Sequence, residues 1–245
     1  MCAWTGFLCG QIGLANMKFD KVAISLFDHT GYALRPWAIA GYECLCFDIK
    51  NNQPPEIYGN SRIYFIKADL NDTKAVAKTL IYYEPKFISM FPPCTDLAVS
   101  GAAHFESKRS INANFQKQAV DLAVKNLVAI NALQIPWMLE NPISVLSSMW
   151  RKPDHYFDPF EYGGYLPEND LHPNWPNIIE PRDAYPKRTS IWCGNGFVMP
   201  TKKPVAVLPG LSKQHKKLGG KSDLTKTIRS ATPRGFAQAM FESNS

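Results

Sequence analysis

One cysteine is set apart by its neighbours. In Phe91-Pro92-Pro93-Cys94 two prolines fix the backbone and stop the preceding apolar run, which leaves Cys94 in a rigid loop. A thiol placed there near a helix N-terminus has a lowered pKa and becomes a nucleophile. Thr95-Asp96 and Ser100-Gly101 follow it. The competing reading is a buried structural cysteine, which is the reading taken for Cys44 and Cys193. The second chemical residue is Glu140, where Glu140-Asn141-Pro142 ends another apolar run. As a solvated acid it needs no explanation. Facing Cys94, it pairs a nucleophile with an acid across a gap the size of one ring. The third group is Asp28-His29-Thr30-Gly31 together with Asp48. An Asp-x-Thr-Gly turn after a strand brings backbone close to a nucleotide-like ligand, and an acid ending the next strand can accept ribose hydroxyls. These residues point to an adenosine-containing cofactor. The full GxGxxG spacing is absent, so a tight turn with capping acids stays open as the alternative.

These residues need elements to hold them. Val22–Phe27, Glu43–Asp48, Arg62–Lys67, Phe87–Phe91 and Pro136–Leu139 are short apolar, β-branched or aromatic runs, the pattern of buried parallel strands. Between them, Tyr32–Ala40 can start a helix within the limits set by Pro36. Asp72–Tyr83 has helical spacing with Asn71 or Asp72 as cap, and Asn114–Gln134 reads as one long amphipathic helix. Strands alternating with helices predict a doubly wound, mostly parallel α/β sheet, whose ligands sit at the carboxyl ends of the strands. Asp28, Asp48, Asp69, Cys94 and Glu140 all fall at that edge.

Beyond Met149 the texture changes, with Pro, Asp, Asn, Trp and Tyr and no clean period, so residues 150–186 read as an irregular insertion. Lys187–Phe197 reads as a strand and turn, Lys213–Lys226 with Gly219-Gly220 as a mobile basic loop, and Thr232–Glu242 as a helix capped by Thr232. Residues 1–149 then form a cofactor-binding and catalytic part, which residues 187–245 complete.

A chain of 245 residues suits one well-buried domain with an elaboration. With 45% hydrophobic and 20% charged residues it is an ordinary globular composition, which excludes a disordered chain. No apolar run approaches a membrane span. Cys2, Cys9, Cys44, Cys46, Cys94 and Cys193 are scattered with no zinc-like spacing, and read as reduced thiols of a cytoplasmic protein, without metal. Residues 1–16 lack the basic start of a signal peptide. They read as an added strand or helix, or as preceding a natural start at Met17.

In this order the motifs resemble the DNA cytosine-5 methyltransferase family, in the compact form that bacteriophages encode. Ser25–Gly31 is similar to the family's first cofactor motif, Asp48 to its ribose-binding acid, and Asp69 to the acid near the adenine. Pro92-Pro93-Cys94 matches the proline–cysteine motif, Glu140-Asn141 the ENV motif with Pro142 for Val, and Lys187-Arg188-Thr189 falls where the family has its arginine-bearing strand. The resemblance covers roughly residues 21–142 well and 187–240 loosely. It implies a Rossmann-like methyltransferase fold and S-adenosylmethionine held by Phe27, Asp28, Thr30, Gly31, Asp48, Ile49, Asp69, Leu70 and Pro92. It further implies a Cys94 adduct at carbon 6 of cytosine, Glu140 on ring N3, and Arg188 on the carbonyl oxygen. The first motif departs from the family's Phe-x-Gly, and Ser230–Pro233 stands where the family's final motif belongs. A usual recognition domain is far longer than residues 150–186.

A net charge of +6 suits a polyanionic partner such as DNA, duplex or single-stranded. Ser100, Lys108 and Arg109 after the cysteine loop, with Lys187, Lys216 and Lys217, are the candidate nucleic-acid contacts. Solvated surface lysines are the alternative. Tyr156, Tyr162, Tyr165 and Trp175 either stack on bases or pack a small subdomain. The expectation is a methyltransferase that acts as a monomer, or as a weak dimer. Pyrimidine modification on RNA or a free nucleotide, use of a modified cofactor, and a non-catalytic DNA-binding relative are the alternatives.

Overall fold

The computed structural model describes residues 17–207, 210, 212–219 and 222–245. The readings of residues 1–16, including Cys2 and Cys9, and of Gly220 and Lys221 lie outside them. No helix among the described residues is long and apolar enough to cross a membrane.

Eight strands form one sheet: β1 (Val22–Leu26), β2 (Glu43–Asp48), β3 (Glu56–Tyr58), β4 (Ser61–Lys67), β5 (Phe87–Met90), β6 (Trp137–Pro142), β7 (His155–Phe157) and β8 (Thr189–Gly194). Their spatial order is β3-β4-β2-β1-β5-β6-β8-β7. The five central strands β4, β2, β1, β5 and β6 run parallel, and β3 and β8 are antiparallel to their neighbours. The chain moves outward from β1 through β2 to β4, then crosses back to β5, so the order reverses between β1 and β5.

The strands are apolar throughout because both faces are covered. Val22, Ile24 and Leu26 face α2 (Thr73–Tyr83), α4 (Phe115–Val124) and α5 (Leu127–Ala132) through Val76, Leu80, Val120 and Ile130. Ala23, Cys44, Cys46 and Phe65 face α1 (Arg35–Ile39) and α9 (Arg234–Asn244) through Trp37, Phe236 and Met240. Asp72 caps α2 by accepting from Ala75 N at 3.0 Å, as its position predicts.

Four expectations change. The long helix is two, α4 and α5, meeting at Lys125-Asn126, where buried Asn126 turns its amide to Leu70 O at 3.0 Å. The expected basic loop holds two helices, α7 (Lys213–Lys217) and α8 (Asp223–Ser230), because Ser212 and Ser222 cap the amides of His215 and Thr225. Pro233, not Thr232, occupies the cap position of α9. The irregular insertion contributes β7 to the main sheet, and Phe157 of β7 stacks on Phe236 at 4.0 Å between ring centres. Two short helices complete the chain, α3 (Phe105–Ile111) and α6 (Leu146–Met149).

The rest of residues 150–186 is tied down by buried polar groups. Asp170 pairs with Arg234 through both guanidinium nitrogens. Asp183 accepts from Gly235 N at 2.9 Å in the first turn of α9. His172 stacks on Trp175 and leans on Tyr32. Burial pushes the Asp183 carboxyl up to about 6, and burial with Arg234 and Arg35 nearby holds His172 down to about 4.

Reference values in the unfolded chain are about 3.9 and about 6.5. Between about pH 4 and pH 6 the folded chain keeps a proton on Asp183 that the unfolded chain has lost, so this contribution to stability falls as pH rises. Over the same window the unfolded chain keeps a proton on His172 that the folded chain has lost, so that contribution rises. The two oppose each other. Asp183→Asn keeps an acceptor for Gly235 and removes only the first. Its stability drops on acidification through this window more steeply than wild type, by on the order of 1 kcal/mol per pH unit, in urea unfolding. Parallel curves for the two proteins would contradict this.

Candidate active site

The turn after β1 is built by its own side chains. The Asp28 carboxylate, 4% exposed, accepts from Thr30 N and Gly31 N at 2.9 Å and from Thr30 Oγ1 and Ser25 Oγ at 3.0 Å. Ser89 of β5 donates to Ser25 and extends this buried row into the next strand. Asp28 and the Thr30 hydroxyl, expected to touch a cofactor, are thus spent on the turn, and what the turn offers a ligand is backbone. Phe27 and Gly31 take positive φ, 60° and 68°. A Cβ on Gly31 would stand 2.9 Å from the Phe65 ring, so only glycine lets β4 approach. Asn51 is a missed residue. Fully buried, its amide nitrogen reaches Cys46 O at 2.8 Å and Asp28 O and Ile66 O at 3.3 Å, which clamps the ends of β1, β2 and β4. A lone Asn in a polar loop carries no sequence signal for this.

Beside that turn, Asp48 ends β2. One of its oxygens accepts from Lys50 N at 2.8 Å, and the other has no hydrogen bond among the described residues. Ile49 next to it is 60% exposed, an apolar surface at the strand ends. Asp69 accepts from the backbone and side chain of Asn71, which hold its carboxyl below the usual range. Leu70, expected at the cofactor, points instead into the core against Leu26, Phe47 and Val76.

The loops that carry Cys94 and Glu140 are joined at three points. Asn141 Nδ2 donates to Pro92 O at 3.0 Å, Val99 N to Ile143 O at 3.0 Å, and Val145 N to Leu97 O at 2.9 Å. Ala98 and Ser144 thus form an antiparallel bridge. Pro92 is buried, whereas Cys94 is exposed and its carbonyl accepts from Leu97 N and Ala98 N. Glu140 lies inside β6 opposite Ile191, and its Oε1 is buried without a hydrogen-bond partner. Burial raises the Glu140 pKa, and Lys187 opposes the rise. The Cys94 thiol is also pushed up, first by loss of solvation and then by Glu140, with Lys187 again opposing. The expected helix N-terminus is not at Cys94, since the next helical turn starts at Val99.

Lys187 is therefore the cation beside the pair; its Nζ rests on Arg229 O at 2.8 Å. Arg188, expected on the substrate's carbonyl, turns the other way, to Asp158 at 3.4 Å and over the Tyr156 ring at 5.0 Å. Neighbouring residues of an extended chain point to opposite faces, so a shift of one exchanges their roles.

Ser100 and Arg109 are exposed, on a stretch from Val99 to Ile111 that buries no residue. Lys108 bonds Asp96 at 2.6 Å and Thr95 O at 3.0 Å, just past Cys94. Lys216 and Lys217 lie on α7, Lys217 bonded to Asn177 O. Of the aromatics, Tyr162 is in the core, Tyr165 carries Lys203 at 3.9 Å, and Trp175 stacks on His172.

Charge around Cys94 sets its reactivity. Glu140→Gln removes the neighbouring negative charge, so the thiol pKa falls and alkylation by iodoacetamide at pH 7–8 speeds up several-fold. Lys187→Met removes the cation and slows alkylation by a similar factor. Site-resolved mass spectrometry over a pH series reads both; equal rates in all three proteins would contradict the electrostatic coupling.

No protein-family model and no curated protein matches the chain. Among solved structures it is similar to a candidate DNA modification methyltransferase encoded within a prophage (E. coli), at 13% identity and a TM-score of 0.40. The match covers 76% of this chain and 53% of that one, so the chain spans about half the length of that structure.

Proposed function

We propose that the protein methylates carbon 5 of cytosine in DNA through a covalent adduct on Cys94. One observation carries this reading: the buried, unpartnered Oε1 of Glu140 sits on a strand end that the Asn141–Pro92 and Ala98–Ser144 contacts join to the loop of an exposed thiol. A buried acid with no partner is costly unless a ligand completes it.

The same edge fits an adenosine-containing cofactor. Asp48 has an oxygen to spare for ribose, Ile49 offers apolar surface, and the Gly31 turn lets backbone come close. When bound there, S-adenosylmethionine supplies the methyl group. The protein's own residues do the remaining work. Glu140, with its raised pKa, keeps a proton at a pH where an ordinary glutamate has lost it, and donates that proton toward ring N3. Protonation also removes the negative charge that disfavours the Cys94 thiolate, so one proton serves both groups. The thiolate adds to carbon 6, which makes carbon 5 nucleophilic. With the methyl group on carbon 5, a water molecule takes the carbon 5 proton, the ring electrons break the carbon 6–sulfur bond and release the Cys94 thiolate, and N3 returns its proton to the Glu140 carboxylate. Lys187 steadies the negative charge that passes between Cys94 and Glu140. In a duplex the base must first leave the stack.

Labelled methyl transfer to unmodified DNA tests this. Wild type transfers label and Cys94→Ser loses it, by on the order of 1,000-fold or more, while Glu140→Gln loses about 100- to 10,000-fold. DNA containing 5-fluorocytosine traps an adduct that depends on Cys94. Label on RNA or a free nucleotide but not on DNA would overturn the substrate, and an adduct that survives loss of Cys94 would overturn the nucleophile.

A further inference from the structure

One helix touches both halves of the candidate site. At the amino end of α8, Asp223 is held below the usual carboxylate range by its bond to Lys226 and further by Lys50, just past Asp48. In the middle of α8, Thr227 Oγ1 meets His29 Nε2 at 3.1 Å, in the turn after β1. At its carboxyl end, Arg229 O accepts from Lys187 Nζ at 2.8 Å, the cation that acts on Cys94 and Glu140. The helix therefore runs from the end of β2, past the turn after β1, to Lys187 just before β8. Its apolar side packs away from the main core. Thr225 and Ile228 are its buried residues, and Ile228 joins a small cluster with Ile179, Tyr185 and Leu218, apart from the two clusters that cover the sheet. Arg229 Nη2 donates to Leu218 O at 2.7 Å, which ties α8 to the end of α7. The His29 side of the contact is firmly built. Gln53 Nε2 donates to His29 O at 2.7 Å, and Asp28 gathers the amides of Thr30 and Gly31.

We propose that Thr227 is a positioning residue: by holding α8 to His29 it sets the last carbonyls of the helix where they fix the Lys187 ammonium beside Cys94 and Glu140. Those carbonyls have no partner within the helix and carry partial negative charge, so they draw and orient a cation. A carbonyl does this without neutralising the cation, as a carboxylate would. Lys187 carries its charge on a flexible four-carbon stem. Held at one end of α8, that charge acts on the thiol from one place instead of as an average over many rotamers. Thr227 thus acts through Lys187, and Lys187 acts on the thiol. The proposal rests on the reading of Cys94 and Glu140 as the reacting pair. It gives α8 a part in their chemistry and anchors that part on the turn that shapes the candidate cofactor edge.

Site-resolved alkylation of Cys94 by iodoacetamide over a pH series, on the full chain without cofactor or DNA, tests this. Thr227→Val keeps the shape of the side chain and removes the hydroxyl. It slows alkylation at pH 7–8 by about 2- to 5-fold and moves the profile to higher pH, because the cation is no longer held. Thr227→Ser keeps the wild-type profile. His29→Leu, which removes the other half of the contact, gives the same shift, and the two together give no more than one. In a Lys187→Met background Thr227→Val changes nothing further, since the group it acts through is gone. Urea unfolding of each variant checks that the fold is kept. An unchanged profile in folded Thr227→Val and His29→Leu proteins overturns the proposal. So does the same slowing by Thr227→Val with Lys187 absent, which a general loosening of the site would give. So does a Thr227→Ser protein as slow as Thr227→Val. Wild type that transfers no methyl group, while the alkylation results hold, overturns the methyl-transfer reading and leaves the positioning of Lys187 standing. Methyl transfer by wild type alongside an unchanged alkylation profile in Thr227→Val overturns the positioning alone.

Discussion

A parallel sheet covered by helices on both faces has few places to show a polar group. Here that constraint governs the molecule. α2, α4 and α5 close one face, and α1 and α9 close the other, so polar side chains collect where the strands end. Strand ends are themselves poorly satisfied, since their last carbonyls and amides have left the ladder. The chain resolves this by turning side chains back on the backbone. Asp28 gathers the amides of its own turn, and Asn51 binds carbonyls from three strands at once. Those two residues add to the strand ladders a side-chain tie between the ends of β1, β2 and β4.

Against that rigid background, a few groups are left incomplete. Glu140 Oε1 and Asn141 Oδ1 at the end of β6, and Ser144 Oγ just past it, are buried without a hydrogen-bond partner, as are Asn51 Oδ1 and Asn126 Oδ1 elsewhere in the fold. Asp28 shows that the protein can satisfy a buried carboxylate fully when it serves only structure. The contrast between Asp28 and Glu140 is between a carboxylate satisfied by its own turn and one whose buried Oε1 has no partner among the described residues. Lys187 makes the second bearable, because its charge opposes the effect of burial without forming a bond that would occupy the carboxyl.

The sequence made the buried strands legible because continuous apolar runs can be read without knowing their partners. It also made legible the order of Cys94 and Glu140 and the Asp72 cap, which are local. What escaped depends on neighbours far away in the chain. β7 is three residues whose reason to be a strand is β8, more than thirty residues later. β3 is equally short, turning through Gly59-Asn60 into β4. Leu70 looked like an edge residue by position, yet it is buried in the same apolar cluster as Leu26 and Val76. Asp28 looked like a ligand by type, yet the amides it binds are its own turn's. Lys187 and Arg188 differ by one step, and composition cannot show which of two adjacent cations faces inward. The serine caps of α7 and α8 were present in the sequence, hidden among lysines that read as a loop.

The packing of α9 has a consequence for how the chain is made. Its Phe236 stacks on Phe157 and meets Tyr162, and its Phe241 meets Trp37, so one helix seals the face formed by Ala23, Cys44, Cys46 and Phe65. On the ribosome, β1, β2 and β4 emerge long before that helix does. Until it arrives, the growing chain shows an apolar sheet surface covered only by short α1, the kind of surface that invites association with other chains. That later-made helix therefore acts as a completion step for the sheet it covers. Translation that stops short of it yields a sticky intermediate rather than a slightly weakened fold.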